Sequence, residues 1–303
     1  MGPLWGIDLG GTKIEGIVME DRESRKVLRR MRLPTEQKKG YVHILRQIYK
    51  LVEVLTAEVG MKPFKIGICT PGTLDPLSQT LKNSNTTCLN DSALKKDLEN
   101  FLGLPIEIAN DANCFALAET HFGIVNEAMP EAKVVFGAIM GTGVGGGIAI
   151  DGKVINGRQG IAGEWGHIFL DDSGGDCYCG KKGCVETVIS GTALQQYYSN
   201  LTGYELSLKE IVERHLAGED EIATNTLERL IHFFGKGMAS VINILDPDVV
   251  VLGGGLGNIE LLYSEGVKEL EKHVFNNRLE TVFLKPKLGD SAGVFGAALM
   301  SEK

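Results

Sequence analysis

Two stretches of this chain carry one pattern, and that repeat limits the folds open to it. Leu4–Leu9 is an apolar strand candidate that runs into Gly10-Gly11-Thr12 and returns as Ile14–Met19. Val134–Met140 runs into a glycine turn at Gly141–Gly147 and returns as Ile148–Ile150. Each reads as a buried strand, a tight Gly/Thr loop and a return strand. A hairpin duplicated in the two halves points to two related α/β domains facing each other across a cleft, although two glycine turns can also match by chance.

The remaining periodicities fit such domains. Val27–Leu33 predicts a third strand ending at Pro34. Tyr41, Ile44, Leu45, Ile48, Leu51, Val52 and Leu55 recur at helical spacing and predict an amphipathic helix over Tyr41–Val59. Phe64–Cys69 predicts a short strand stopped by Thr70-Pro71-Gly72, followed by a helix at Lys95–Leu102, a strand at Ile106–Ala109 and a helix at Ala112–Phe122. Leu227, Leu230, Ile231, Phe234, Met238, Val241, Ile242 and Leu245 mark a long buried helix closed by Asp246-Pro247. Val249–Leu252 is an all-apolar strand leading into Gly253-Gly254-Gly255. The last helix, about Gly293–Met300, is small and apolar on most sides and should dock onto the body of the protein. The boundary between domains is placed near Gly123–Pro130.

A length of 303 residues accommodates two domains, and 43% hydrophobic with 23% charged residues is the balance of a soluble globular protein. The net charge of −8 argues against a nucleic-acid partner. No apolar run approaches the ~20 residues of a membrane span, and Met1–Trp5 shows no signal peptide. Six cysteines are too few for a disulfide scaffold, and three of them crowd one short stretch. That usage fits metal binding in a reducing compartment, so a cytoplasmic enzyme is the expectation.

Three glycine-rich turns follow buried strands: Gly10–Lys13, Gly141–Gly147 and Gly253–Gly257. Glycine lets successive backbone N–H groups approach an anion and cradle phosphate oxygens. Thr12 and Thr142 add hydroxyls and Lys13 a positive charge. None of the turns matches the Walker pattern, and the first opens a hairpin rather than a helix, so the dinucleotide fingerprint fails as well. Asp8, at the end of the first strand, would serve a cation such as water-mediated Mg²⁺ or hydrogen-bond its own turn. Asn110-Asp111-Ala112-Asn113 opens a helix; Asp111 reads either as the helix N-cap, which spacing alone favours, or as a base for an acceptor hydroxyl.

Gly163-Glu164-Trp165-Gly166-His167 leads to Cys177-Tyr178-Cys179-Gly180-Lys181-Lys182-Gly183-Cys184-Val185-Glu186. Three thiolates and one imidazole (His167, Cys177, Cys179 and Cys184) compose a closed tetrahedral zinc site, and so hydrophilic a loop offers reduced thiols no core to fill. Cys69, Cys88 and Cys114 read as ordinary small apolar residues. Glu164 and Glu186 flank the knuckle, either as solvated acids or as acceptors for sugar hydroxyls.

Taken together, Asp8–Lys13, Asn110–Asn113, the Glu164–His167 motif and the Cys177–Glu186 motif resemble the ROK family (repressors, open reading frames, kinases) over essentially the whole chain. The resemblance implies a two-domain actin/hexokinase-like fold of duplicated ribonuclease H-like type, α/β in class, with an interdomain cleft and a small zinc-bound loop. It implies domains at 1–122, with a C-terminal helix at about 290–303 packing back on it, and at 123–289, which includes the knuckle 163–186. It implies that Asp111 is the catalytic base. Asp8, Gly10, Gly11, Thr12 and Lys13 would form the first phosphate and Mg²⁺ region, Gly141, Thr142 and Gly143 the second phosphate loop, and Gly253, Gly254 and Gly255 the nucleoside side. Gly72, Asn85, Asn110, Asp111, Glu164, His167 and Glu186 would face the sugar, and His167, Cys177, Cys179 and Cys184 would hold zinc. The implied activity is an ATP-dependent transfer of the γ-phosphoryl group to the 6-hydroxyl of a hexose, by a homodimer. The run Lys82–Asn90 with Leu33-Pro34-Thr35 looks most like the fructokinase branch, so fructose is the first expectation, with mannose or glucose accepted. An N-acetylglucosamine or N-acetylmannosamine kinase, or a glucokinase, is the alternative. A sugar-sensing ROK protein without catalysis is the alternative of another class. Family repressors add a helix-turn-helix domain ahead of the first hairpin, which here begins at residue 4, so the repressor reading is weak.

Overall fold

The structure is a computed structural model and describes residues 2–302. Among the described residues the chain opens with β1 (Leu4–Leu9), β2 (Lys13–Met19), β3 (Val27–Pro34), α1 (Tyr41–Val59), β4 (Ile66–Thr70), β5 (Thr73–Leu74) and β6 (Leu81–Lys82). It continues with α2 (Leu94–Leu102), β7 (Ile106–Asn110), α3 (Asp111–His121), α4 (Ile124–Ala128), β8 (Val134–Met140), β9 (Val144–Ile150) and β10 (Lys153–Val154). Then come α5 (Val185–Ile189), α6 (Gly191–Thr202), α7 (Leu208–Ala217), α8 (Glu221–Leu245), β11 (Val249–Gly253), α9 (Glu265–Glu271), β12 (Val282–Leu284) and α10 (Ala292–Met300). None of these helices is long and apolar enough to cross a membrane.

The chain divides into two compact units. The first takes the chain up to Glu127, Gly152–Ala162 and the segment from Leu288 on; the second takes Ala128–Asp151 and Gly163–Lys287. The expected division at residue 122 had put Gly152–Ala162 in the second domain. Long-range hydrogen bonds assign it to the first: Asn113 Nδ2 donates to Asn156 Oδ1 at 3.2 Å, His121 Nε2 meets the Gly152 carbonyl at 2.8 Å, and Lys82 Nζ donates to the Gln159 carbonyl at 3.2 Å.

In the first unit the strands lie in the order β3-β2-β1-β4-β7. β1 and β2 form an antiparallel hairpin, while β4 and β7 extend the sheet in parallel from β1. Alternation along β1 sorts its side chains between two faces. Trp5, Ile7 and Leu9 share a core with Ile44, Ile48, Leu51, Val52 and Leu55 of α1. Each such buried aliphatic side chain is worth roughly 1.5–3 kcal/mol over leaving it exposed. Leu4 packs instead with Val294, Ala298 and Leu299 of α10. α10 is built of small residues because it lies almost on the strand backbones: a Cβ at Gly67 of β4 would run into the Ala297 carbonyl. That close approach is the docking expected of the last helix.

The second unit repeats the scheme in the order β9-β8-β11-β12, an antiparallel hairpin extended by two parallel strands. The fold is thus α/β with two mixed sheets. α8 lays Leu227, Leu230, Phe234 and Met238 into a core with Phe136, Trp165, Val250 and Leu252. One expectation is corrected here. The second glycine run is not a turn from 141 to 147: Gly145, Gly146 and Gly147 sit in β9, paired with Ile139, Ala138 and Gly137, and only Gly141–Gly143 turns.

Candidate functional site

In the first unit the strand register brings the predicted residues to one edge. Asp8 pairs with Cys69 across β1 and β4, and Thr70 pairs with Asn110 across β4 and β7. Asp8 near the end of β1, and Asn110 and Asp111 at the end of β7, therefore lie at the carboxyl edge of the parallel strands β1-β4-β7, where open α/β sheets bind ligands. The Gly10–Lys13 turn closes tightly, with Gly10 N donating to the Lys13 carbonyl at 3.0 Å. Thr35, buried and not singled out by the sequence, locks that turn: its hydroxyl donates to the Gly10 carbonyl at 2.6 Å and its N–H to the Thr12 carbonyl at 3.0 Å. Thr12 is exposed. Lys13 Nζ lies 3.8 Å from the buried Glu15, which also takes Arg30 and, at 2.9 Å, Arg32. Burial alone would raise the Glu15 pKa, but the two guanidinium groups hold it below the usual carboxylate value.

Asp8 shares the α10 face of β1 with Leu4, and Gly293 of α10 comes up against its carboxylate. Burial, followed by the charges of Asp111 and Glu15, raises its pKa from 3.8 to about 6. Asp111 is not the cap of α3. Asn110 is, accepting the Asn113 N–H on Oδ1 at 2.8 Å, while Asp111 occupies the first helical position and accepts the Ala112 N–H at 2.8 Å. Its surface meets solvent, yet protein crowds the carboxylate closely enough that desolvation raises its pKa above the ordinary value. Gly72 makes the turn between β4 and β5 at φ 84°. Asn85 is exposed on the loop from Ser84 to Asn90, which is braced internally by Asn90 Oδ1 on the Ser84 N–H at 2.8 Å and by Asn90 Nδ2 on the Ser84 carbonyl at 3.0 Å.

In the second unit the two remaining glycine turns are neighbours. A side chain on Gly141 would come 4.0 Å from the Gly255 N–H, and Gly253 ends β11 beside Ile139. Gly254 turns with φ 77° and, like Gly255 and Thr142, is exposed. Glu186 stands behind Gly143, accepting the Val144 N–H at 2.9 Å on the oxygen that a Cβ at Gly143 would displace. Trp165 is buried and donates to the Gly145 carbonyl at 2.8 Å, which fixes the flanking Glu164 and His167 to β9.

Tyr178 completes this group, and sequence reasoning passed over it. Its hydroxyl lies 2.9 Å from His167 Nε2. Burial, with the charges of Glu186 and Glu164, pushes its pKa up to about 12. An aromatic residue between two cysteines of an otherwise hydrophilic loop was the available signal. On the other side of the imidazole, Nδ1 lies 3.5 Å from Cys177 Sγ, and Cys179 Sγ lies 3.6 Å from Cys184 Sγ. The four donor atoms lie within 4.8 Å of one another. A tetrahedron with ~2.3 Å metal–sulfur bonds has edges of about 3.8 Å, so these residues could hold one four-coordinate dication. A cavity of about 620 Å³ adjoins them, bordered by Thr142, Gly143, Tyr178, Glu186, Gln196 and Arg229. Arg229, also unforeseen, donates from Nη2 to Ser173 Oγ at 2.8 Å and stacks on Tyr197 and Phe233.

Glycine turns and strand-end carboxylates on repeated mixed sheets define the chain as an α/β protein. The ROK family model matches residues 4–303, and the chain belongs to that family. It is 37% identical over 308 residues to the N-acetyl-D-glucosamine kinase of Mannheimia succiniciproducens, covering 98% of each protein. Among solved structures it superposes on the ROK hexokinase of Thermus thermophilus with a TM-score of 0.87 at 30% identity, over 98% of this chain and 97% of the other. The ROK family glucokinase of Streptomyces griseus, solved with glucose and AMPPNP, gives a TM-score of 0.76 at 29% identity over 99% of both chains.

Proposed function

We infer that the protein is an ATP-dependent sugar kinase whose acceptor is N-acetyl-D-glucosamine, phosphorylated at the 6-hydroxyl. The observation that carries the chemistry is Asp111, whose carboxylate stands at a strand-end edge beside Asp8 while its neighbour Asn110 does the capping. Asp111 accepts the proton of the sugar hydroxyl as that oxygen bonds to the γ-phosphorus. The bond to the bridging oxygen breaks, ADP departs with the electron pair, and the products are sugar 6-phosphate, ADP and a proton. In the second unit the neighbouring Gly141–Gly143 and Gly254–Gly255 turns offer backbone N–H groups suited to nucleotide phosphates, and the Gly10–Lys13 turn of the first unit has the same chemistry. Asp8, a carboxylate with a raised pKa at the first turn, fits a hydrated Mg²⁺, which would neutralise phosphate charge when bound.

In the second unit Glu164 and Glu186 offer carboxylate oxygens to sugar hydroxyls, and His167 braces the loop beside them. The Cys₃His donor set fits Zn²⁺ in a closed structural site. If a metal took His167 Nδ1, Nε2 would carry the hydrogen and donate to the Tyr178 hydroxyl 2.9 Å away, and the ring plane would be set from both sides.

Fructose, the first expectation from Lys82–Asn90, gives way to N-acetyl-D-glucosamine. The full-length relative at 37% identity is named for that sugar. In the structure, Ser84 and Asn90 use their polar groups to brace their own loop. The test is ADP release with Mg·ATP across N-acetylglucosamine, N-acetylmannosamine, glucose, mannose and fructose. N-acetylglucosamine should exceed glucose and fructose in kcat/KM by at least about 10-fold. A preference for fructose would overturn the acceptor, and silence on every sugar would overturn the kinase.

A further inference from the structure

A third group of titratable side chains lies in the second unit, away from the glycine turns and the cysteine knuckle in sequence and role. His232 projects from the middle of α8, Glu269 from α9, and His273 from the residues just after α9, one helical turn beyond Glu269. Their spacing follows from the packing of the two helices. A Cβ at Gly235 of α8 would lie 2.7 Å from Glu269 Cγ and 2.9 Å from the Leu270 N–H, so α9 rests directly on the α8 backbone at this point. Glu269 is thereby held one turn of α8 from His232, and the i, i+4 step along the chain brings His273 to the same carboxylate.

The geometry is convergent. His232 Nδ1 and His273 Nε2 each lie 3.1 Å from Glu269 Oε1, and all three donor atoms fall within 4.8 Å of one another. A metal at ~2.0–2.1 Å from nitrogen and oxygen ligands would separate adjacent donors by about 3.3 Å, close to both nitrogen–oxygen distances. Glu269 is the best shielded of the three, with 15% of its side chain exposed, against 46% for His232 and 28% for His273. The two imidazole rings stand edge to face with centroids 6.1 Å apart. One feature opposes a cation: Lys272 Nζ sits 2.6 Å from the other carboxylate oxygen, Glu269 Oε2.

We propose that His232, Glu269 and His273 form a second metal site, for a zinc-type divalent transition-metal ion. Two imidazoles and one carboxylate select Zn²⁺, Ni²⁺, Co²⁺ or Cu²⁺ over Mg²⁺ or Ca²⁺, which prefer all-oxygen shells. Bound there, the ion cross-links α8 to α9. Because Lys272 competes for the carboxylate, the site is weaker than the cysteine knuckle and fills after it.

The experiment uses the full chain, purified without a histidine tag and loaded with zinc at the knuckle, and titrates it with CoCl₂ at pH 7.5. One further equivalent should bind, with the weak visible bands of nitrogen and oxygen ligation and none of the intense sulfur-to-cobalt absorption. His273→Ala and His232→Ala should each weaken this step at least about 10-fold, while Lys272→Gln should tighten it severalfold. Sugar phosphorylation by each variant serves as the check on folding, since none of these residues belongs to the proposed catalytic machinery. No second equivalent in the wild type, or one of equal affinity in both histidine variants, overturns the site. A second equivalent that shows sulfur charge transfer assigns the ion to the knuckle and equally overturns it.

Discussion

Replacing Asp111 by asparagine separates two roles that its position would otherwise confound. The side chain keeps its size and can still accept the Ala112 N–H, and the cap of α3 is untouched because Asn110 Oδ1 provides it. A lost cap would cost about 1 kcal/mol, and this variant should not incur that loss. The carboxylate itself is raised in pKa by desolvation, so at neutral pH its ionised form opposes folding. Asparagine removes that charge. Stability in urea should stay level or rise slightly.

Turnover should behave in the opposite way. Loss of a positioned general base costs about 10²–10⁴-fold in rate, equivalent to roughly 3–5 kcal/mol in the barrier. The assay is steady-state ADP release with N-acetylglucosamine, with sugar affinity measured separately by calorimetry. We expect kcat to fall at least about 100-fold, with sugar affinity within a few-fold of the parent. A variant with kcat within tenfold of the parent would falsify the assignment of Asp111 as base. A midpoint in urea lowered in step with activity would mean that Asp111 holds the helix and that the rate loss is structural. Asn110→Ala is the companion control, since it should lose the cap energy and destabilise α3 directly.

Three further outcomes follow from the same geometry. Cys179→Ser should lower bound zinc by mass spectrometry and weaken sugar binding while leaving nucleotide affinity largely intact; equal loss of both affinities would make the knuckle a support for the whole unit. Asp8 has a folded pKa of about 6 against 3.8 in the unfolded chain, so its stabilising contribution is complete below the lower value and is lost as pH rises through about 6. Metal-free protein should therefore lose stability from pH 4 to 7 by a component that Asp8→Asn abolishes, whereas the KM for Mg·ATP should rise as pH falls below about 6; an Asp8→Asn profile parallel to wild type would refute both. Gly67→Ala should cost about 1–3 kcal/mol in urea unfolding, because its methyl group meets the Ala297 backbone and α10 cannot yield locally; an unchanged midpoint would contradict the packing described.

Residues with only one physical use were the legible ones. The α1 pattern admits no other reading, and its ends, Tyr41 and Val59, were visible because the apolar period stops where Gly60 takes a left-handed turn. The three clustered thiols were also visible, but the expectation that their loop offers no core was not met: Cys177 and Cys184 are buried and only Cys179 is exposed. Ambiguity appeared where a residue had two local uses. Glycines 145–147 satisfy turn chemistry as well as they fit a strand, and only their partners on β8 decide for the strand. Arg229 and the Gly152–Ala162 segment depend on neighbours far away in the chain, which no local period encodes.

At Asp111 the structure removes one of the two local uses, because the cap of α3 is Asn110. Adjacent Asn110 and Asp111 are both strong capping types, and one residue of slip exchanges their roles. Once Asn110 Oδ1 is seen to accept the Asn113 N–H, the helix no longer requires a carboxylate at 111. An acid placed at a strand-end edge, partly desolvated and beside a second acid, lowers the stability of the free protein. Such an arrangement makes physical sense when a ligand brings the compensating proton or cation. A hydroxyl that gives up its proton as it meets a magnesium-bound phosphate brings both.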